Sequence, residues 1–157
     1  MAETPSRGAR CYEDIAMGER TTTGSFTFTR ESIVEFASQF DPQPMHLSEE
    51  GGKASFFKRQ IASGWQTVGV TMRMMVEAHP FGATPLIGLQ IDEIKFPRPV
   101  YPGDSVSAEM EIVEKRVSKS RPDNGLLKGR TITVNQDGQQ VLSQIWTILI
   151  PVRNPGS

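Results

Sequence analysis

The sequence predicts an α+β domain in which a curved antiparallel sheet wraps one central helix. Three observations lead there: a single apolar helix with few charges near residues 64–78, four long strand-like segments after Pro80, and turns rich in Pro, Gly and Asp between those segments. Only one strand and some shorter helical stretches precede the central helix, so the order is not that of alternating β–α units.

The elements follow in chain order. Residues 1–10 are polar and include Pro5 and Gly8, so a flexible arm is expected, with order starting near Cys11 and Tyr12. Thr21–Thr29 reads as a strand with Phe26 and Phe28 on one face. Thr29 then caps a helix whose apolar stripe is Ile33, Val34, Phe36, Ala37 and Phe40. Asp41 falls where that helix ends. Pro42 and Pro44 remove backbone donors and push the residues before them out of the helical region, which makes Asp41–His46 a stiff, non-helical loop. Ser48 caps a short helix through Glu49 and Glu50. Ile61-Ala62-Ser63-Gly64 opens the central helix, Gly64–Ala78, in which Trp65, Val68, Met72, Met75 and Val76 recur at the spacing of a buried face. The strands Leu86–Phe96, Ser105–Ser118, Leu126–Val134 and Gln140–Ile150 complete the sheet, the last pair joined as a hairpin through Asp137-Gly138. With no internal repeat and no linker, residues 1–157 form one domain. The open edges of its sheet favour a dimer, by edge pairing or by packing of the helical layer.

Composition narrows the function. The chain has 157 residues, with 17 Lys plus Arg against 18 Asp plus Glu, so there is no basic excess for nucleic acid. No apolar run is long enough for a membrane span. The one cysteine, Cys11, cannot form an internal disulfide and suits a reducing, cytoplasmic setting.

Asp41 and His46 place an acid and a base five positions apart on a proline-stiffened loop, which holds two side chains toward one point at little entropic cost. That is the outline of a catalytic pair. The same spacing also fits an Asp that caps a helix and a His that packs at a loop end. Ser63-Gly64 offers a helix N-terminus whose free N–H groups can polarise a carbonyl, although a glycine needed for tight packing fits equally. Two histidines, His46 and His79, are too few for a histidine-based metal site, and His79 reads as structural beside Pro80. Ala-Ser63-Gly64-Trp is not a nucleophile elbow. Lys115, Arg116, Lys119, Arg121, Lys128 and Arg130 flank a turn between two strands and could meet the phosphates of a large ligand, although they read first as a solvated hairpin end.

The segment Phe40-Asp41-Pro42-Gln43-Pro44-Met45-His46-Leu47 resembles the hydratase motif of the MaoC-like hydratases, a hot-dog-fold group that includes the (R)-specific enoyl-CoA hydratases and dehydratase domains of fatty-acid synthesis. Gln43 stands where that motif usually has Asn, and Phe40 where a small residue is common. Ile61-Ala62-Ser63-Gly64 resembles the family's entry into the central helix, with Ser63 where a histidine is frequent. Residues 96–104 resemble its strand connection. Met72 corresponds to a site-lining serine of some members. The resemblance implies a hot-dog fold and a hydratase or dehydratase acting on an enoyl-CoA, with an acyl carrier protein as the other possible carrier and no cofactor or metal. It further implies that Asp41 and His46 hold the water that adds to C3, that the Gly64 N–H bonds the thioester oxygen, and that Ser63 and Gln43 lie at the substrate. A homodimer or higher homo-oligomer is expected. The rival activities are a hot-dog thioesterase, for which Glu77 is the one acid on the central helix, and a non-catalytic acyl-CoA-binding subunit. A second carboxylate on the substrate would call on Arg73 or Arg98.

Overall fold

The computed structural model describes residues 8–155. The chain runs β1 (Arg20–Thr27), α1 (Arg30–Phe40), α2 (Pro44–Leu47), α3 (Glu49–Lys53), α4 (Gly64–Ala78), β2 (Ile87–Lys95), β3 (Ser105–Val117), β4 (Asn124–Val134) and β5 (Gln140–Pro151). The strands form one antiparallel sheet in the order β1-β3-β4-β5-β2. Along β3, β4 and β5 every second residue turns inward, as the two-residue repeat of a strand requires. Met110, Leu127, Trp146 and Ile148 thereby meet Val70, Met74 and Met75 of α4 in one core. Fully burying such a side chain is worth about 1.5–3 kcal/mol, so this helix–sheet contact holds the fold. Gly129 of β4 leaves room for the Met110 side chain of the neighbouring β3: a Cβ there would lie 2.6 Å from Met110 Sδ.

Local signals set the element ends. Thr29 accepts from the Ser32 N–H and Ser32 Oγ accepts from the Thr29 N–H, a reciprocal cap that starts α1. Ser48 caps α3 through the Gly51 N–H, and Ser63 caps α4 through the Trp65 N–H. Phe28 is buried and meets Phe26 edge to face at 5.2 Å. Among the described residues no helix is long and apolar enough to cross a membrane.

Four expectations change. Order begins earlier than Cys11, because Ala9 bridges Gly82 and Arg10 bonds Thr84, Pro80 and Glu19; residues 1–7 of the expected arm lie outside the described residues. The loop Asp41–His46 is helical in its second half. Pro44 occupies the first position of α2, where a missing N–H costs nothing, and only Asp41–Gln43 stays extended. In α1 only Ile33 and Ala37 are buried, while Phe40 is exposed and stacks on Phe36. In α4 the buried face carries Gln66, Thr67, Val70, Thr71, Met74 and Met75, so the expected stripe keeps only Met75 inside; Trp65 and Val76 are exposed, and Val68 and Met72 are half-buried. Periodicity located the helix, but two of its faces are apolar, and which one meets the sheet depends on residues far away in sequence.

Candidate active site

Asp41 is the residue that ends α1, and its N–H still closes the last turn on the Ala37 carbonyl. The turn through Pro42 and Gln43 then brings His46 of α2 back beside it. His46 is buried, with Nδ1 2.8 Å from the Ile61 carbonyl oxygen. A carbonyl can only accept, so Nδ1 carries a proton and Nε2 is the nitrogen turned toward the acid. That nitrogen lies 3.1 Å from Asp41 Oδ2. The pairing expected from the sequence is therefore made, with the imidazole oriented by a main-chain oxygen.

Two further donors bond the Asp41 carboxylate, and Oδ1 keeps an acceptor position. Gln43 Nε2 donates to Oδ1 at 2.6 Å and Ser63 Oγ donates to Oδ2 at 2.7 Å. Burial pushes the Asp41 carboxyl up, but the hydrogen bonds from Gln43 and Ser63, with the charge of and bond to His46, outweigh it and hold it below the usual carboxylate range. Gln43 and Ser63 are thus bonded to the acid in this structure. Ser63 is fully buried, and Gln43 sits on the exposed side of the turn.

Gly64 is the first residue of α4, and among the described residues its N–H has no acceptor in the chain. A Cβ at this position would come within 2.8 Å of the Phe96 ring, so glycine keeps the helix end open under that ring. Asp41, His46 and Gly64 border one cavity of about 690 Å³, inside the range of roughly 300–1,000 Å³ common for small-molecule sites. Its mouth is aromatic and exposed: Phe56 at 90%, Trp65 at 60% and Phe96 at 47%. Its inner wall is buried and mostly aliphatic, formed by Ile61, Ala62, Val100 and Val141. A larger recess of about 860 Å³ shares no residue with this cavity and is bordered by the ion pair of Arg10 with Glu19.

Several contributors carried no sequence signal. Gln60 is 1% exposed; its Nε2 donates to the His46 carbonyl at 2.9 Å and its Oε1 accepts from Arg30, which also pairs with Glu49. The Ile61 N–H donates to the Met45 carbonyl, so residues 60–63 splint α2 from one side. Thr67 borders the cavity, again from the buried face of α4. These roles depend on a loop returning from residue 60, which spacing within residues 41–46 does not reveal.

Other candidates fall elsewhere. Glu77 pairs with Arg73 on the exposed face of α4 and borders a different recess. Arg98 borders the active cavity, whereas Arg73 does not. His79 ends α4 in the left-handed region at φ 50°, its N–H on the Val76 carbonyl. Lys115 bonds the Tyr12 and Ile15 carbonyls and lies over the Tyr12 ring, a structural role. Arg116 and Lys128 face Glu114.

Comparison with known proteins gives a consistent picture. A family model described as MaoC like domain matches residues 14–134. The Bacillus subtilis protein YdeM, itself described as uncharacterized, is 30% identical over 138 residues, covering 88% of this chain and 96% of that protein. The crystal structure of a MaoC-like dehydratase from Rhodospirillum rubrum is 34% identical, with a TM-score of 0.82 over 92% of this chain and 98% of the other. An (R)-hydratase from Pseudomonas aeruginosa, 23% identical with a TM-score of 0.71, covers 92% of this chain and 88% of its own, and shares the fold.

Proposed function

The chain belongs to the MaoC-like dehydratase family and has its hot-dog fold, and from that premise we propose that it adds water reversibly to the double bond of a trans-2-enoyl-CoA, giving a 3-hydroxyacyl-CoA. Family and relatives support hydratase or dehydratase chemistry; the enoyl-CoA substrate and the residue roles are our reading. The observation that carries it is the Asp41–His46 pair at 3.1 Å on the wall of a cavity that Gly64 also borders.

Hydration needs a base for the water, a proton for C2 and a donor for the charge that develops on the thioester oxygen. Asp41, kept ionised by its donors, accepts a proton from water as the oxygen bonds C3. The C2–C3 electrons move toward the carbonyl, whose oxygen the Gly64 N–H bonds. The proton held by the Asp41–His46 pair then returns to C2, so atoms and charge balance. Gln43 and Ser63 act through Asp41, by holding the carboxylate in place.

A general acid–base group is worth about 10²–10⁴ in rate. Asp41→Asn and His46→Gln should therefore abolish loss of the enoyl-thioester absorbance with crotonyl-CoA and its longer homologues, while the parent consumes them. Activity retained in Asp41→Asn would overturn the assignment. If the parent binds acyl-CoA and converts none of the series, the chain is a binding subunit. The thioesterase alternative loses its acid, since Glu77 is outside the cavity.

We extend the proposal to a cytoplasmic homodimer. Trp65, Val68, Met72 and Val76 leave one apolar stripe of α4 partly or fully exposed, and Ile87, Leu89 and Ile91 are each at least 41% exposed on the edge strand β2.

A further inference from the structure

Six residues bordering the active cavity are buried: His46, Ile61, Ala62, Thr67, Val100 and Val141. Two of these carry polar side chains. His46 is committed on both nitrogens, to the Ile61 carbonyl and to Asp41. Thr67 is 2% exposed, one turn along α4 from Gly64, and among the described residues its Oγ1 has no hydrogen-bond partner, although its N–H is used by the Ser63 carbonyl.

The polar character continues behind Thr67. Thr71, one turn further along the same buried face, bonds Thr133 of β4 at 2.7 Å. Thr131 lies two residues from Thr133 on the same face of β4 and pairs across the sheet with Gln144 of β5. Both are at most 1% exposed, and Thr131 Oγ1 and the two amide atoms of Gln144 find no partner among the described residues. Buried polar groups are normally hydrogen-bonded. An alkyl tail of the same length would leave the Thr67 hydroxyl unpaired, whereas an oxygen on the tail would pair it.

Resting on the hydratase reading, we infer that Thr67 is a specificity-determining residue and that the site takes an enoyl thioester whose acyl tail bears a hydroxyl or similar oxygen, in preference to a plain aliphatic one. Sites that hydrogen-bond a substrate oxygen discriminate against the analogue lacking it far more sharply than hydrophobic pockets count methylenes. The reaction supplying such a substrate would have to leave an oxygenated tail on the thioester.

The test compares 2-enoyl-CoAs of equal length with and without a terminal hydroxyl, from short to medium chains, on the parent, Thr67→Val and Thr67→Ser. Valine keeps the shape and removes the hydroxyl, and thermal melts report that each variant folds. At one chain length or more the parent should favour the hydroxylated substrate in kcat/KM by roughly 10-fold or more. Thr67→Val should lose that preference and Thr67→Ser should keep it. Absence of any preference in the parent, or an equal drop on both substrates in Thr67→Val, overturns the inference; the second result would make Thr67 a ligand of the attacking water. If no substrate turns over, the hydration reading fails separately. Calorimetry with the saturated plain and hydroxylated acyl-CoAs then still decides, since equal affinities in the parent would refute an oxygen-selective tail site.

Discussion

Ser63→Ala tests how the acid of the site is held. In the parent, Ser63 Oγ does two things: it donates to Asp41 Oδ2 at 2.7 Å and accepts from the Trp65 N–H at 3.2 Å, capping α4. A hydrogen bond to a charged group contributes about 1.5–3 kcal/mol, and Asp41 is only 17% exposed, so little is lost to solvent screening. The cap contributes about 1 kcal/mol more. Together they predict a loss of roughly 2.5–4 kcal/mol in urea or thermal unfolding, which for a domain of this size is a fall of roughly 5–16 °C in Tm. A double-mutant cycle with Asp41→Ala removes the cap contribution and should return a coupling of about 1.5–3 kcal/mol.

The pH dependence has a definite sign. The Asp41 pKa lies below its ordinary 3.8 when folded, so its stabilisation is fully present above 3.8 and is lost as pH falls through the lower folded value. Removing the Ser63 donor raises the Asp41 pKa, so the acid limb of kcat/KM in Ser63→Ala moves to higher pH than in the parent. A coupling below about 0.5 kcal/mol, within the usual error of additivity, would refute the argument. So would an acid limb that stays in place.

Three further outcomes are expected. Gln60→Leu leaves the buried His46 carbonyl without its donor, so urea melts should show a loss of about 1–3 kcal/mol, with kcat falling more than KM rises because α2 and its imidazole shift together. Gly64→Ala puts a methyl 2.8 Å from the outer ring atoms of Phe96, an exposed and movable ring. The variant should fold but turn over slowly, and Phe96→Ala added to it should recover part of the loss; no recovery would locate the cost at the Gly64 N–H. Leu89→Lys on the edge of β2 should halve the mass seen by light scattering at micromolar concentration, and an unchanged mass would place any dimer contact elsewhere.

The architecture was readable from local rules. Strand alternation, the Gly-containing turns, the Thr29 and Ser48 caps and the extent Gly64–Ala78 all follow from interactions within a few residues, which is why they survive in the folded chain. The proximity of Asp41 and His46 was legible for the same reason: two prolines restrict the backbone between them. What Asp41 and His46 bond was not legible. Gln60, the Ile61 carbonyl and Ser63 reach the pair only because residues 60–63 return alongside α2, and Thr67 borders the same cavity from α4. The buried face of α4 was misjudged on the same account. A helix with apolar residues on two faces has no local preference between them, and here packing against β1, β3 and β5 buries the face that carries Thr67 and Thr71. Spacing along a chain reports the energies of neighbours in sequence, whereas burial and hydrogen-bond partners are set by segments that meet only when the core closes.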